Sequence, residues 1–166
     1  MMRLRAGPLF GILLLVSPAM AQDDDRVELK GVVGTSGFLD SPTDYHAVVG
    51  GAARLYISPR FALEPEFTYM RASSRRQDYA IQMGVIWQFR RGAVLEPYLV
   101  AAAGVQHSRS RFPGAVQEMF SSNAFTGGGG VGIRIGVGSR FRLSPEFRVG
   151  SEPIVRATVS LGYMFH

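Results

Sequence analysis

The chain has 166 residues, 46% of them hydrophobic, with 20 glycines, no cysteine and a formal charge of +5. The lack of cysteine excludes disulfides, thiolate metal sites and a lipidated cysteine, and so small a charge does not suit a nucleic-acid surface. The first 21 residues read as a signal peptide: Arg3 and Arg5 form a basic start, Leu9 to Val16 an apolar stretch, and Ala19-Met20-Ala21 a small-x-small cleavage site before Gln22. That apolar run falls well short of the roughly 20 residues of a spanning helix. Removing Arg3 and Arg5 from the 18 basic residues leaves 16 against 13 acidic ones, and Lys30 is the one lysine among them. Arginine, with its planar fork of donors, suits confined ion pairs better than lysine.

A short tail, residues 22–26, carries Asp23-Asp24-Asp25, a charge run of the kind that is normally solvated. From there period-2 alternation predicts eight strands, at Val27-Thr35, Tyr45-Ile57, Phe61-Arg71, Tyr79-Phe89, Val94-Val105, Ala124-Val137, Phe141-Val149 and Ile154-Phe165. Most are long enough to cross hydrocarbon when tilted. Tight connections at Ser58-Pro59-Arg60, Arg90-Arg91-Gly92-Ala93 and Gly138-Ser139-Arg140 alternate with looser ones at Ser36-Asp44, Ala72-Asp78 and Gln106-Asn123. Ser151-Glu152-Pro153 is a short exception. Residues Arg60 to Phe67 and Arg140 to Phe147 match at six of eight positions, each copy opening a strand after a tight turn; shared turn chemistry explains that echo as well as a repeated hairpin does.

Each strand has an apolar run of alternate residues free of charge, which in the third strand extends from Phe61 to Tyr69. Every charge between the strand ends falls in the other register: Glu28, Lys30, Arg54, Glu64, Glu66, Glu96, Arg134, Arg142, Glu146, Arg148 and Arg156. A soluble barrel alternates too, with its apolar face inward. Two details favour the inverted arrangement of a transmembrane barrel. Small residues such as Gly84, Ala102, Gly104, Gly128, Gly130 and Gly132 lie in the charged register, where a narrow interior needs room for long side chains. Aromatics of the apolar register gather near strand ends: Phe61, Trp87, Phe89, Phe141, Tyr163 and Phe165 toward one rim, Tyr45, Phe67, Tyr69, Tyr79 and Phe125 toward the other. Such paired girdles match the two interfaces of a bilayer. The predicted fold is therefore all-β, an eight-stranded antiparallel up-and-down transmembrane β-barrel over residues 27–166.

Eight strands enclose a lumen just wide enough for side chains. Glu64, Glu66, Glu96 and Glu146 are thus expected to meet Arg54, Arg134, Arg142, Arg148 and Arg156 in a plug of ion pairs, closing any pore. No cofactor or metal site is expected. The four-glycine stretch Gly127-Gly130 lacks the Lys-Ser/Thr of a phosphate loop and lies inside a strand, where it serves close strand packing or curvature.

The opening Leu95-Glu96-Pro97-Tyr98 running to Gly104, the stretch Gly127 to Gly132 leading into Arg140-Phe141-Arg142-Leu143 and Glu146-Phe147-Arg148, and the closing Val159-Ser160-Leu161-Gly162-Tyr163-Met164-Phe165 resemble the bacterial outer-membrane β-barrel family. The resemblance implies a Gram-negative outer membrane with both termini periplasmic. It also implies outer-membrane lipids and lipopolysaccharide as surroundings, recognition of the C-terminal strand by the barrel-assembly machinery, and a monomer. In such barrels the last residue is usually aromatic, whereas Phe165 here is followed by His166. Some relatives deacylate lipid A with an H-x-S pattern; His107 and Ser108 are adjacent and so point to opposite faces of a strand. Three roles follow in order of preference: a structural or interaction barrel of the envelope, a lipid-modifying enzyme, and a soluble periplasmic barrel for an apolar ligand.

Overall fold

A computed structural model of the chain describes residues 27–38, 41–73, 76–90, 92–111, 119–151 and 154–165. The expected signal peptide, the tail at 22–26 and His166 lie outside them. Eight strands follow one another: β1 (Val27–Phe38), β2 (Ser41–Tyr56), β3 (Phe61–Ser73), β4 (Arg76–Gln88), β5 (Leu95–Arg111), β6 (Met119–Val137), β7 (Phe141–Gly150) and β8 (Ile154–Phe165). Each pairs antiparallel with its sequence neighbours, and β1 pairs with β8, from Val27 opposite Phe165 to Phe38 opposite Ile154, closing the barrel. Closure leaves no edge strand with unpaired backbone groups, the condition for backbone to lie in hydrocarbon.

The tight turns have local causes. Pro59 cannot continue the ladder, and the Ser58 hydroxyl accepts from the Phe61 N–H at 3.1 Å while Ile57 N–H donates to the Phe61 carbonyl at 3.0 Å. The other two tight turns use Gly92 and Gly138, at φ 81° and 70°, where a side chain would be strained. At the opposite end the expected loops are largely strand. Gln106–Arg111 of β5 pairs with Met119–Ala124 of β6, and Arg76 to Asp78 continues β4. Apart from Met119, Phe120 and Ala124 these segments are polar, so they lack the apolar alternation that marks a strand, yet the ladder continues beyond the apolar band.

The alternation is inverted relative to a soluble barrel. Val33 (58% exposed), Ile81 (62%) and Leu161 (53%) face outward, whereas Arg54 (0%) and Glu64 (1%) are sealed inside. A soluble container for an apolar ligand needs the reverse, so that third alternative is overturned.

The two halves of the barrel correspond. Trp87 opposite Phe61 on β3–β4 matches Tyr163 opposite Phe141 on β7–β8, and the Trp87–Phe89 ring contact at 4.9 Å matches Tyr163–Phe165 at 5.1 Å. The β2–β3 ladder skips the pairs at Glu64 and Pro65, and the β6–β7 ladder skips those at Ser144 and Pro145, each where a proline has no N–H to give. Four positions apart in a ring of eight, β3 and β7 stand on opposite sides of the axis, so the echo is a twofold arrangement of similar hairpins.

Candidate functional site

The lumen holds six buried carboxylates (Glu28, Glu64, Glu66, Asp78, Glu96, Glu146) and five buried cations (Lys30, Arg54, Arg134, Arg148, Arg156) among the described residues. They form tiers. Nearest the tight turns, Arg134 spans two carboxylates: its Nε donates to Glu28 Oε2 at 2.9 Å and its Nη1 to Glu96. Its Nη2 lies 2.9 Å from Met164 Sδ, Tyr56 donates to Glu28 at 3.2 Å, and Glu96 also accepts from the Gly92 N–H of the turn below at 2.7 Å.

Glu64 centres the next tier. It accepts from Arg54 Nε at 2.6 Å and Lys30 Nζ at 3.0 Å, and Arg148 Nη2 reaches it at 3.4 Å. The Arg54 guanidinium lies 4.6 Å from the centroid of the Tyr98 ring, whose hydroxyl donates to Glu146 at 2.9 Å. Above, Arg148 meets Glu146 at 2.5 Å and Glu66 at 3.3 Å, while Arg156 meets Glu66 at 2.6 Å and Glu146 at 3.8 Å. Arg148 and Arg156 form the floor of a mouth of about 700 Å³, open end included, whose wall carries His46 and Asp78 at 3.5 Å from each other. Ions this deeply buried are tolerable only when paired.

Strand parity aims these side chains inward, and small residues make the room. A Cβ added to Gly132 would lie 2.3 Å from Tyr98 Cζ, and one on Gly162 would lie 2.0 Å from Glu28 Oε1. The space at Gly132 thus receives a tyrosine and that at Gly162 a glutamate, as well as the long arginines expected from the sequence.

Of the expected network residues, Arg54, Glu64, Glu66, Glu96, Arg134, Glu146, Arg148 and Arg156 converge. Arg142 does not. One residue into β7, it sits at the tight-turn rim and its Nη1 donates to the carbonyls of Gly138, Ser139 and Phe141 at 2.8–3.3 Å; parity gives the face of a strand but not the height. Beyond the expected residues, Glu28 and Lys30, which share the charged register, also point into the lumen, as do Tyr56, Tyr98 and Asp78. Asp78 has the parity of Ala80 and Gln82 and lies in β4, where the sequence predicts the end of a loop.

The rim aromatics all face outward. At the tight-turn end Phe141 and Tyr163 pack edge-on at 5.4 Å, with Phe61, Trp87, Phe89 and Phe165 beside them in the register. At the other end Tyr69 and Tyr79 lie 5.1 Å apart and Phe67 6.5 Å from Tyr79, with Tyr45 and Phe125 exposed. Beside Tyr79, as its partner on β5, His107 has Nδ1 2.7 Å from Asn123 Oδ1, and its Nε2 accepts from Arg109 Nε at 3.1 Å. Those partners assign the proton to Nδ1 and occupy both nitrogens, so neither meets a serine hydroxyl. No group of three or more potential metal ligands converges among the described residues.

A closed antiparallel barrel, charged within and apolar without between two aromatic rims, defines an integral membrane β-barrel. The sequence matches the model of the outer membrane protein beta-barrel domain over residues 9–165, so the chain belongs to that family and is an integral outer-membrane barrel. The structure is similar to the N-terminal β-barrel domain of Pseudomonas aeruginosa OprF (TM-score 0.65, 14% identity, covering 87% of this chain and 100% of that one). It is also similar to Neisserial surface protein A (TM-score 0.63, 14% identity, 84% and 94%) and to Ail, the attachment invasion locus protein of Yersinia pestis (TM-score 0.54, 10% identity, 86% and 97%). No curated protein sequence matches it significantly.

Proposed function

We propose that the protein is a sealed envelope barrel with a structural or interaction role, acting through its surface and loops and neither conducting solutes nor catalysing a reaction. The observation that carries this reading is the tiered ion-pair network, in which Arg134, Glu64, Arg148 and Arg156 bridge different strands across the lumen. In a planar bilayer the folded protein should show no steady conductance. Stable openings comparable to those of a 16-stranded porin would refute the sealed lumen.

The same reading places the tight turns and both termini in the periplasm, the long β5–β6 hairpin outside, and the rim aromatics at the two membrane interfaces. It makes residues 1–21 a cleaved signal peptide and residues 27–166 the barrel domain. The C-terminal strand serves the assembly machinery, and the barrel works as a monomer among outer-membrane lipids. N-terminal sequencing of membrane-extracted protein should read Gln-Asp-Asp-Asp; a retained Met1 would refute the cleavage.

A further inference from the structure

Among the residues whose side chains are described, the outward charges are all positive: the six carboxylates are buried, whereas Arg60, Arg90 and Arg140 are exposed at the tight-turn end and Arg71 and Arg109 at the other. Arg60 and Arg71 bracket β3, and a tilted strand of that length rises about 28 Å along the barrel axis. That is close to the roughly 25 Å apolar band of such barrels, so the two arginine rims fall at the two headgroup planes.

The rim away from the tight turns is the more organised. Arg71 pairs with Gln77 and Gln77 with Arg109, so the three form one outward row across β3, β4 and β5. The two arginine backbones are about 10 Å apart, close enough for both side chains to reach a single anion centred over Gln77. Arg109 is held through Nε by His107, itself fixed by Asn123, which leaves its two terminal nitrogens for a ligand. Directly beneath, Tyr69 and Tyr79 form an aromatic ledge at the edge of the apolar band.

We propose that this row binds the phosphate of an outer-leaflet lipid, with Arg71 and Arg109 as a two-point clamp and the Tyr69–Tyr79 ledge supporting the start of the acyl chains. The outer-leaflet assignment rests on the orientation proposed above. Guanidinium groups match phosphate through paired N–H donors, and among the residues whose side chains are described no outward carboxylate competes for them.

The test is retention of lipid by the detergent-solubilised, folded barrel, measured by native mass spectrometry with bisphosphorylated lipid A, its dephosphorylated form, and inorganic phosphate as competitor. The Arg71→Gln/Arg109→Gln variant should bind bisphosphorylated lipid A about twenty-fivefold more weakly than the parent, from roughly fivefold per arginine near an anionic surface. Arg60→Gln/Arg90→Gln, at the opposite rim, should match the parent. Equal retention by parent and clamp variant, or equal retention of the dephosphorylated lipid, would overturn the proposal; complete displacement by millimolar inorganic phosphate would also do so, by making free phosphate the ligand. Labelling of intact cells with an impermeant maleimide tests the orientation separately. Ser122→Cys should react and Ser139→Cys should not; the reverse would sink the orientation while leaving the clamp's phosphate selectivity to stand or fall on the binding data.

Discussion

Replacing Glu64 with leucine removes the carboxylate on which Lys30, Arg54 and Arg148 converge. Arg148 keeps Glu66 and Glu146, but Arg54 and Lys30, both buried, each lose the ion-pair partner they have among the described residues. Leaving a buried charge uncompensated costs roughly 3 to 5 kcal/mol, so Glu64→Leu should destabilise the barrel by about that much. Adding Arg54→Met removes the more deeply buried of the two stranded cations, and the double variant should recover about 2 kcal/mol, since replacing both ions of a buried pair by apolar side chains is far cheaper than removing one. Urea titration of protein folded into short-chain phosphatidylcholine vesicles would measure both. Trp87, the single tryptophan, faces outward at one aromatic rim and reports departure from the lipid. A Glu64→Leu loss below about 1 kcal/mol, or a double variant as unstable as the sum of its singles, would refute an interior held by pairing.

Leu161 faces outward and Ser160, its neighbour, is buried with its hydroxyl 3.4 Å from the Ser144 carbonyl. Leu161→Arg should cost roughly 2 to 4 kcal/mol if near the midplane and lower folding yield in vesicles more than Ser160→Arg does, as read from the gel shift between unheated and boiled samples. Gly132→Val should destabilise by roughly 1 to 3 kcal/mol because its side chain overlaps the Tyr98 ring, and Tyr98→Ala in the same chain should relieve most of that loss; urea midpoints would show it. Arg142→Gln should stay within about 0.5 kcal/mol of the parent, whereas Arg134→Gln, which strands Glu28 and Glu96, should not; equal urea midpoints for the two would contradict the placement of Arg142 outside the lumen.

Strand number, order and facing were legible because one period governs every spanning segment: Leu161 and Ser160 could be sent to opposite faces from parity alone. What parity cannot supply is height along the axis. Arg142 shares the register of Arg148 but sits at the rim, and Asp78 was assigned to a loop because the strand around it has no apolar face. Tyr98 and Tyr56 escaped because they carry no formal charge, although a tyrosine in a register otherwise filled by charges and small residues is itself a signal that its hydroxyl has a buried acceptor. The row Arg71, Gln77, Arg109 joins three strands and became visible only with the register.

The twofold correspondence of the halves does not extend to their interior charge. Strands β1–β4 contribute four buried carboxylates (Glu28, Glu64, Glu66, Asp78) against Lys30 and Arg54, His46 left aside, while β5–β8 contribute Glu96 and Glu146 against three arginines. Arg134 to Glu28, Arg148 to Glu64 and Glu66, and Arg156 to Glu66 therefore all cross from one half to the other. Hairpins so alike in outline are open to exchange between copies of the chain, and two N-terminal halves would match in shape while facing eight carboxylates toward four cations. Only a C-terminal half supplies the missing positive charge, so the lumen disfavours closure of two like halves, N-terminal against N-terminal, that the backbone alone would accept.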